Sequence, residues 1–166
     1  MPQAINVFQP SLGAEELEAV RRVFESHWVG KGRCTERFEA NFANHLNVPR
    51  ELLRSTNSCT EGLFQVMALL EIGPDDEVIL PSISFVGAAN AVMARGARPV
   101  FCDVNPRTLN VECHFVEEQI TAKTKAVIVL HYGGVPCPLE AIAQLAHRHG
   151  IMLIEDSACS VFFSMH

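Results

Sequence analysis

The chain has 166 residues, 48% of them hydrophobic, and a formal net charge of −6. That length allows one domain or part of a larger one, with enough apolar surface for a core. The acidic balance argues against a general nucleic-acid binder, and no apolar run approaches the length of a membrane span. Met1-Pro2-Gln3-Ala4 lacks the basic-then-apolar pattern of a signal peptide. The cysteines Cys34, Cys59, Cys102, Cys113, Cys137 and Cys159 are scattered, without a Cys-x-x-Cys pair. Reduced thiols in the cytoplasm fit that pattern better than disulfides or a zinc site, and no metal is expected. His147 and His149, two apart on a predicted helix, do not share a face and read as a basic helix end.

In chain order, the spacing of Leu17, Val20 and Phe24 predicts a first helix from Gly13 to about Trp28, with Glu15 and Glu16 at the positive end of its dipole. Val29-Gly30-Lys31-Gly32 breaks it; the spacing is not that of a P-loop, and a surface turn is the plain reading. A second helix carries Phe38, Phe42 and Leu46 on one face and ends near Val48-Pro49. Leu52 to Thr56 is compatible with a short strand. Asn57-Ser58-Cys59-Thr60 is a turn of capping residues that opens a helix with Leu63, Val66, Met67 and Leu70 on its buried face, stopped by Gly73-Pro74-Asp75-Asp76. Glu77–Leu80 is a predicted strand, and Ser84–Arg95 a helix with Phe85, Ala88, Ala89 and Val92 inward. Arg98–Cys102 is a strand, Glu112–Ile120 a helix, Ala126–Leu130 a strand, and Leu139–His149 a helix with Leu139, Ile142, Ala143 and Ala146 on one side. Gly150 closes that helix, and Ile151–Ile154 reads as a strand buried on both faces that runs into Glu155 and Asp156. Repeated alternation of strand and helix, with continuous apolar strands, predicts an α/β fold. A mostly parallel sheet would lie between helical layers, the three-layer αβα arrangement. No linker or repeat divides residues 1–166.

Ligands of open α/β sheets sit beyond the carboxyl ends of the strands. Three such ends carry suggestive residues. Ser58-Cys59-Thr60-Glu61-Gly62 offers unpaired N–H groups and hydroxyls at a helix start, which suit a phosphate; an ordinary helix cap explains the same residues. Phe85 offers a flat ring, although its helical spacing alone assigns it to the core. Asp156 offers a carboxylate, whereas Glu155 reads as the end of the strand. Together they suit pyridoxal phosphate (PLP): a cradle for the phosphate, a ring to stack on the pyridine, and an acid to keep the pyridine nitrogen protonated.

These residues lie within a longer series: Ile5-Asn6-Val7-Phe8-Gln9-Pro10, Trp28-Val29-Gly30-Lys31-Gly32, Asn57-Ser58-Cys59-Thr60, Gly73-Pro74-Asp75-Asp76-Glu77-Val78-Ile79, Pro81-Ser82-Ile83-Ser84-Phe85-Val86, Ala97-Arg98-Pro99-Val100-Phe101-Cys102-Asp103-Val104, His131-Tyr132-Gly133-Gly134 and Ile154-Glu155-Asp156. In this order and at these intervals, the chain resembles the N-terminal part of the DegT/DnrJ/EryC1/StrS aminotransferases, PLP enzymes of fold type I that act on nucleotide-linked keto sugars. The resemblance implies that Cys59, Thr60 and Glu61 form the phosphate-binding turn, that Phe85 stacks on the cofactor ring and that Asp156 pairs with its pyridine nitrogen. Cys159 falls where many members carry Gln or His against the ring hydroxyl; a thiol is a weak hydrogen-bonding group. Trp28, Gly30 and Lys31 fall in the segment near the substrate entrance. An amino-acid donor, a nucleotide-sugar acceptor and a homodimer with shared active sites are implied for a full-length member.

The resemblance also implies a lysine some two dozen residues beyond the aspartate, to tether the cofactor and shuttle a proton. Lys31, Lys123 and Lys125 are the lysines of this chain, and none stands at that place. The apolar ending Val161–His166 is uncapped, and the remaining strands and the small C-terminal domain of the family are expected to be absent. Residues 1–166 are thus expected to form a single incomplete domain that does not transaminate alone. A non-catalytic binding or assembly fragment and a PLP-dependent sugar dehydratase relative remain open alternatives.

Overall fold

The computed structural model describes residues 10–160. The motif residues 5–9, the start at Met1 and the ending Val161–His166 lie outside them. The chain divides into two compact units, Met1–Ser55 and Thr56–His166.

The first unit is helical. Helix α1 spans Ala14–Glu25, shorter than the spacing predicts. Ser26 ends it: its amide donates to the Arg22 carbonyl and its hydroxyl to that of Val23. At the other end, Glu16 accepts the Gly13 N–H at 2.6 Å, satisfying one of the donors that every helix start leaves unpaired. Leu17, Val20 and Phe24 are exposed. Helix α2 spans Arg33–Leu46 and closes on Asn47 in the left-handed conformation, with Phe38 and Phe42 stacked at 5.7 Å. A 3-10 turn, Arg50–Leu52, follows.

Leu52–Thr56 is not a strand. Leu53 is extended, but the Ser55 N–H donates at 2.9 Å to a carboxylate, Glu39 of α2, instead of to a neighbouring strand. Glu39 is fully buried. It also accepts from the Ser55 hydroxyl at 2.7 Å, from Lys31 Nζ at 3.3 Å and from the Arg50 guanidinium. A buried charge is tolerable only with this kind of saturation. The Ser55 N–H and hydroxyl, helped by Lys31 and Arg50 and opposed by burial, hold the Glu39 carboxyl down at about 2.

The second unit is built on a four-stranded, wholly parallel sheet in the order β2-β1-β3-β4. The strands are β1 Glu77–Pro81, β2 Arg98–Cys102, β3 Thr124–Leu130 and β4 Met152–Asp156. Helices α3 (Cys59–Leu69), α4 (Val86–Ala94), α5 (Cys113–Glu117) and α6 (Leu139–His149) connect and cover them. Side chains alternate across a strand, so β1 and β3 feed two cores. Val78, Leu80, Ala126 and Ile128 pack with Leu63 and Met67 of α3 and with Ala88, Ala91 and Val92 of α4. Ile79, Val127 and Val129 pack with Val116 of α5 and with Ile142, Leu145 and Ala146 of α6. This is the three-layer αβα arrangement, and it explains why these two strands are apolar at every central position. Each such buried Val, Leu or Ile contributes about 1.5–3 kcal/mol.

Two expectations from spacing are corrected. β4 is not buried on both faces: among the described residues it pairs only with β3, and Met152 and Glu155 are exposed while Ile154 and Asp156 are buried. Phe85 is not a core residue. Helix α4 starts after it, Phe85 itself is the extended N-cap, and its side chain is 59% exposed.

The Glu39 network makes stability depend on pH. An unfolded chain takes up a proton near 4.5 while the folded carboxyl does so only near 2, so folding favours the ionised form. The stabilisation is complete above about 4.5 and is lost as pH falls toward 2. Unfolding followed by the fluorescence of Trp28, the single tryptophan, should show this loss in the parent chain and not in Glu39→Gln.

Candidate functional site

The carboxyl ends of the parallel strands lie side by side, with Pro81 in register with Cys102 and Leu130 with Asp156. The segment after β1 carries Phe85, the end of β4 and the turn after it carry Asp156 and Cys159, and the start of α3, which follows no strand among the described residues, carries Cys59, Thr60 and Glu61. Ser58 is the N-cap of α3, accepting the Glu61 N–H on its hydroxyl at 3.1 Å. The cap reading is therefore correct for Ser58. It leaves the amides of Cys59 and Thr60, at the first positions of the helix, pointing outward without a partner among the described residues. The carboxylate of Glu61 is turned along the helix, accepting from Gln65 at 3.1 Å. It thereby leaves the helix start free for an anion.

Asp156 is 5% exposed. Its Oδ1 accepts the Ala158 N–H at 3.1 Å and the Cys59 thiol at 3.5 Å, joining residues 97 apart in the chain. Both bonds fall on Oδ1, and no described residue donates to Oδ2. Burial, then the Asp156 charge and its hydrogen bond, then Cys159, push the Cys59 thiol up from its ordinary value. Cys59, Asp156 and Cys159 thus form one electrostatic cluster, and Cys59 serves as a neutral donor.

Phe85 reaches the same cluster through Gly87. A Cβ placed on Gly87 would stand 2.7 Å from Phe85 Cε1 and 3.1 Å from Thr60 Cγ2. The bare glycine lets the exposed ring lie back against the start of α4, beside Thr60. The structure therefore brings Cys59, Thr60, Phe85, Asp156 and Cys159 together at one edge of the sheet. Trp28, Gly30 and Lys31 make their contacts within the first unit. The Trp28 indole N–H donates to the Lys31 carbonyl at 3.0 Å, its ring lies where a Cβ on Gly32 would stand 2.9 Å away, and the Lys31 ammonium is shared with Glu39. An open hollow lined by Trp28, Gly30, Lys31 and Arg33 lies beside it.

Sequence reasoning assigned no role to three residues at this edge, although His131 opens one of the stretches that carry the resemblance. Gly87 carried no signal beyond its small size. Asn110 and His131 are 2% and 5% exposed. Asn110 ties both ends of the turn after β3, accepting the Tyr132 N–H and donating to the Val135 carbonyl, each at 2.8 Å. The turn comes close to the segment after β4 at Gly134, where φ is +80° and a Cβ would lie 3.3 Å from the Cys159 carbonyl oxygen. Only glycine meets both demands readily.

Two outcomes follow. Gly87→Ala should leave overall stability within about 1 kcal/mol, since helix propensity gained and crowding oppose each other. It should nevertheless displace the ring, abolishing the nuclear Overhauser contact between Phe85 and the Thr60 methyl. Asp156→Asn removes the anion beside Cys59, so alkylation of that thiol at a fixed mildly alkaline pH should become faster.

Comparison with known proteins shows the family and the fold. The chain is 55% identical over 162 residues to the dTDP-4-dehydro-2,3,6-trideoxy-D-glucose 4-aminotransferase of Saccharopolyspora spinosa, covering 98% of the chain and 42% of that relative. The crystal structure of the aminotransferase TlmJ from Streptoalloteichus hindustanus superposes with a TM-score of 0.92 at 61% identity, over 95% of this chain and 43% of that one. NtdA of Bacillus subtilis, solved with bound cofactor PMP, superposes with a TM-score of 0.79 at 29% identity, over 89% of this chain and 34% of that one. The chain therefore spans less than half the length of these relatives. With the family profile matching residues 10–165, it belongs to the DegT/DnrJ/EryC1/StrS aminotransferase family.

Proposed function

We propose that this chain forms the cofactor-gripping part of a PLP-dependent aminotransferase for a nucleotide-linked keto sugar, and that alone it does not transaminate. The observation that carries the reading is Asp156: a buried carboxylate with both hydrogen bonds on one oxygen and no described donor on the other. Such an oxygen suits a protonated ring nitrogen, because a charge-assisted N–H bond offsets the cost of burying the acid. The fit extends to the rest of the edge. Gly87 makes room for the Phe85 ring beside Thr60, and the first turn of α3 is cleared of the Glu61 carboxylate.

When bound, PLP supplies an electron sink for negative charge that develops next to the reacting nitrogen. The protein's part is binding and electrostatics. The amides of Cys59 and Thr60, with the Thr60 hydroxyl, hold the phosphate at the positive end of α3, and Glu61 completes the turn. Phe85 covers one face of the ring and excludes water there. Asp156 keeps a proton on the pyridine nitrogen. Cys159 faces the ring hydroxyl with a thiol, a weaker partner than an amide or imidazole. Trp28, Gly30 and Lys31 serve the substrate, with Lys31 already engaged by Glu39.

None of the lysines supports a tether. Lys123 and Lys125 lie at the amino end of β3, paired with Asp75 at 4.0 Å and Asp76 at 3.5 Å, across the sheet from the site. The complete enzyme would take its nitrogen from an amino acid, act as a homodimer and work in the cytoplasm. A dTDP-linked keto deoxysugar is the first acceptor to try, because the relative at 55% identity is named for one.

The test is a titration of the purified chain with PLP. Reversible binding is expected, with no cofactor fixed by borohydride and no amino sugar formed from a donor and the dTDP-linked ketone. Asp156→Asn should weaken binding by about 2 kcal/mol, roughly thirtyfold, the worth of a hydrogen bond to a charged group. Turnover by the chain, or unchanged affinity in Asp156→Asn, would overturn the proposal.

A further inference from the structure

His131 stands at the end of β3, directly beside the end of β4. Its ring is buried and both nitrogens are engaged. Nδ1 accepts the Cys137 N–H at 3.1 Å, and Nε2 lies 2.9 Å from Glu155 Oε1. A nitrogen that accepts a backbone N–H carries no proton, so the ring proton resides on Nε2 and is donated to Glu155. The same Glu155 oxygen accepts the Ser157 hydroxyl at 2.8 Å. The residues on either side of Asp156 are thereby joined to one imidazole. The His131 amide also faces the Asp156 carbonyl, at 3.4 Å. Behind the ring, Asn110 closes the turn from Tyr132 to Val135, so the Cys137 amide that orients His131 is itself held.

We propose that His131 is a positioning residue for Asp156: by gripping Glu155, and through it Ser157, it fixes the turn that aims the free oxygen of the acid. The inference rests on the reading that Asp156 meets a cofactor nitrogen. The chemistry is that of an outer-shell partner, which orients a binding group without touching the ligand. Glu155, which sequence reasoning treated only as the end of a strand, is the intermediate. Its requirement is an acceptor oxygen rather than a charge.

Two half-mimics of the imidazole separate the bonds. His131→Asn retains an acceptor near the Nδ1 position and has no donor that reaches Glu155. His131→Gln places an amide N–H near the Nε2 position and leaves the Cys137 amide unpaired. In the 166-residue chain, His131→Asn should keep the Cys137 amide protected from hydrogen exchange, expose the Ala158 amide, and weaken PLP binding about tenfold, as loss of an outer-shell partner does. His131→Gln should do the reverse, with Ala158 protected and PLP affinity within about twofold of the parent. Glu155→Gln, which keeps the acceptor, should match the parent, and Glu155→Ala should match His131→Asn.

The imidazole 15N shifts of the unmutated chain should show a neutral ring protonated on Nε2, a readout that needs no variant to fold. A proton on Nδ1, or an Ala158 amide indifferent to His131→Asn and Glu155→Ala, would overturn the proposal. So would loss of protection at Cys137 and Ala158 together in every variant. If the parent chain binds no PLP, the cofactor reading falls, while the ring tautomer and the Ala158 amide still decide whether His131 sets the turn.

Discussion

A single buried carboxylate organises this structure. Asp156 lies where β4 leaves the sheet, and a charge there needs partners from elsewhere in the chain. Cys59 provides one from the start of α3, and Ala158 provides another from the turn that follows. Because Cys59 and Thr60 are neighbours, and Thr60 lies against the Phe85 ring across Gly87, the bond to Asp156 links three sheet-edge turns into one surface. The parallel sheet makes this possible. Parallel strands end on the same side, so turns distant in sequence become neighbours.

The raised thiol of Cys59 belongs to the same arrangement. A thiolate would face Asp156 and lose its hydrogen bond, whereas the neutral thiol donates. Cys102 and Cys137, pushed up to about 11 chiefly by burial, are neutral for a simpler reason. The first unit handles its own buried acid in the opposite way. Glu39 collects donors and stays ionised at low pH, and in doing so it takes the Ser55 amide out of any strand ladder.

The sheet was legible because β1 and β3 are apolar at every central position, a pattern that only burial on both faces demands. Asp156 was singled out for its place after an apolar run, and it is buried there. Spacing misled where one residue decided an element's boundary. Phe85 fits the inner face of its helix by periodicity, yet the helix begins one residue later and the ring turns outward. Leu52–Thr56 has the composition of a strand, but its amide at Ser55 is taken by a side chain 16 residues earlier. β4 has the apolar run of an interior strand and lies at an edge of the described sheet. The clamp of Asn110, His131 and Glu155 could not be read from local pattern, since the two Asn110 bonds and the His131–Glu155 bond span 22 or more residues, and the last exists only once β3 and β4 are paired. That a helix start, a ring and an acid suit one ligand was read from their expected places at strand ends, and the resemblance to a family implied a role for each.

The central claim is that these three turns form one pocket for a flat phosphorylated ring. A crystal structure of this chain grown with PLP tests it most directly. The account predicts the pyridine nitrogen within hydrogen-bonding distance of Asp156 Oδ2, the phosphate on the Cys59 and Thr60 amides, and the Phe85 ring against the cofactor. Cofactor found elsewhere on the chain, with Asp156 untouched, would contradict it.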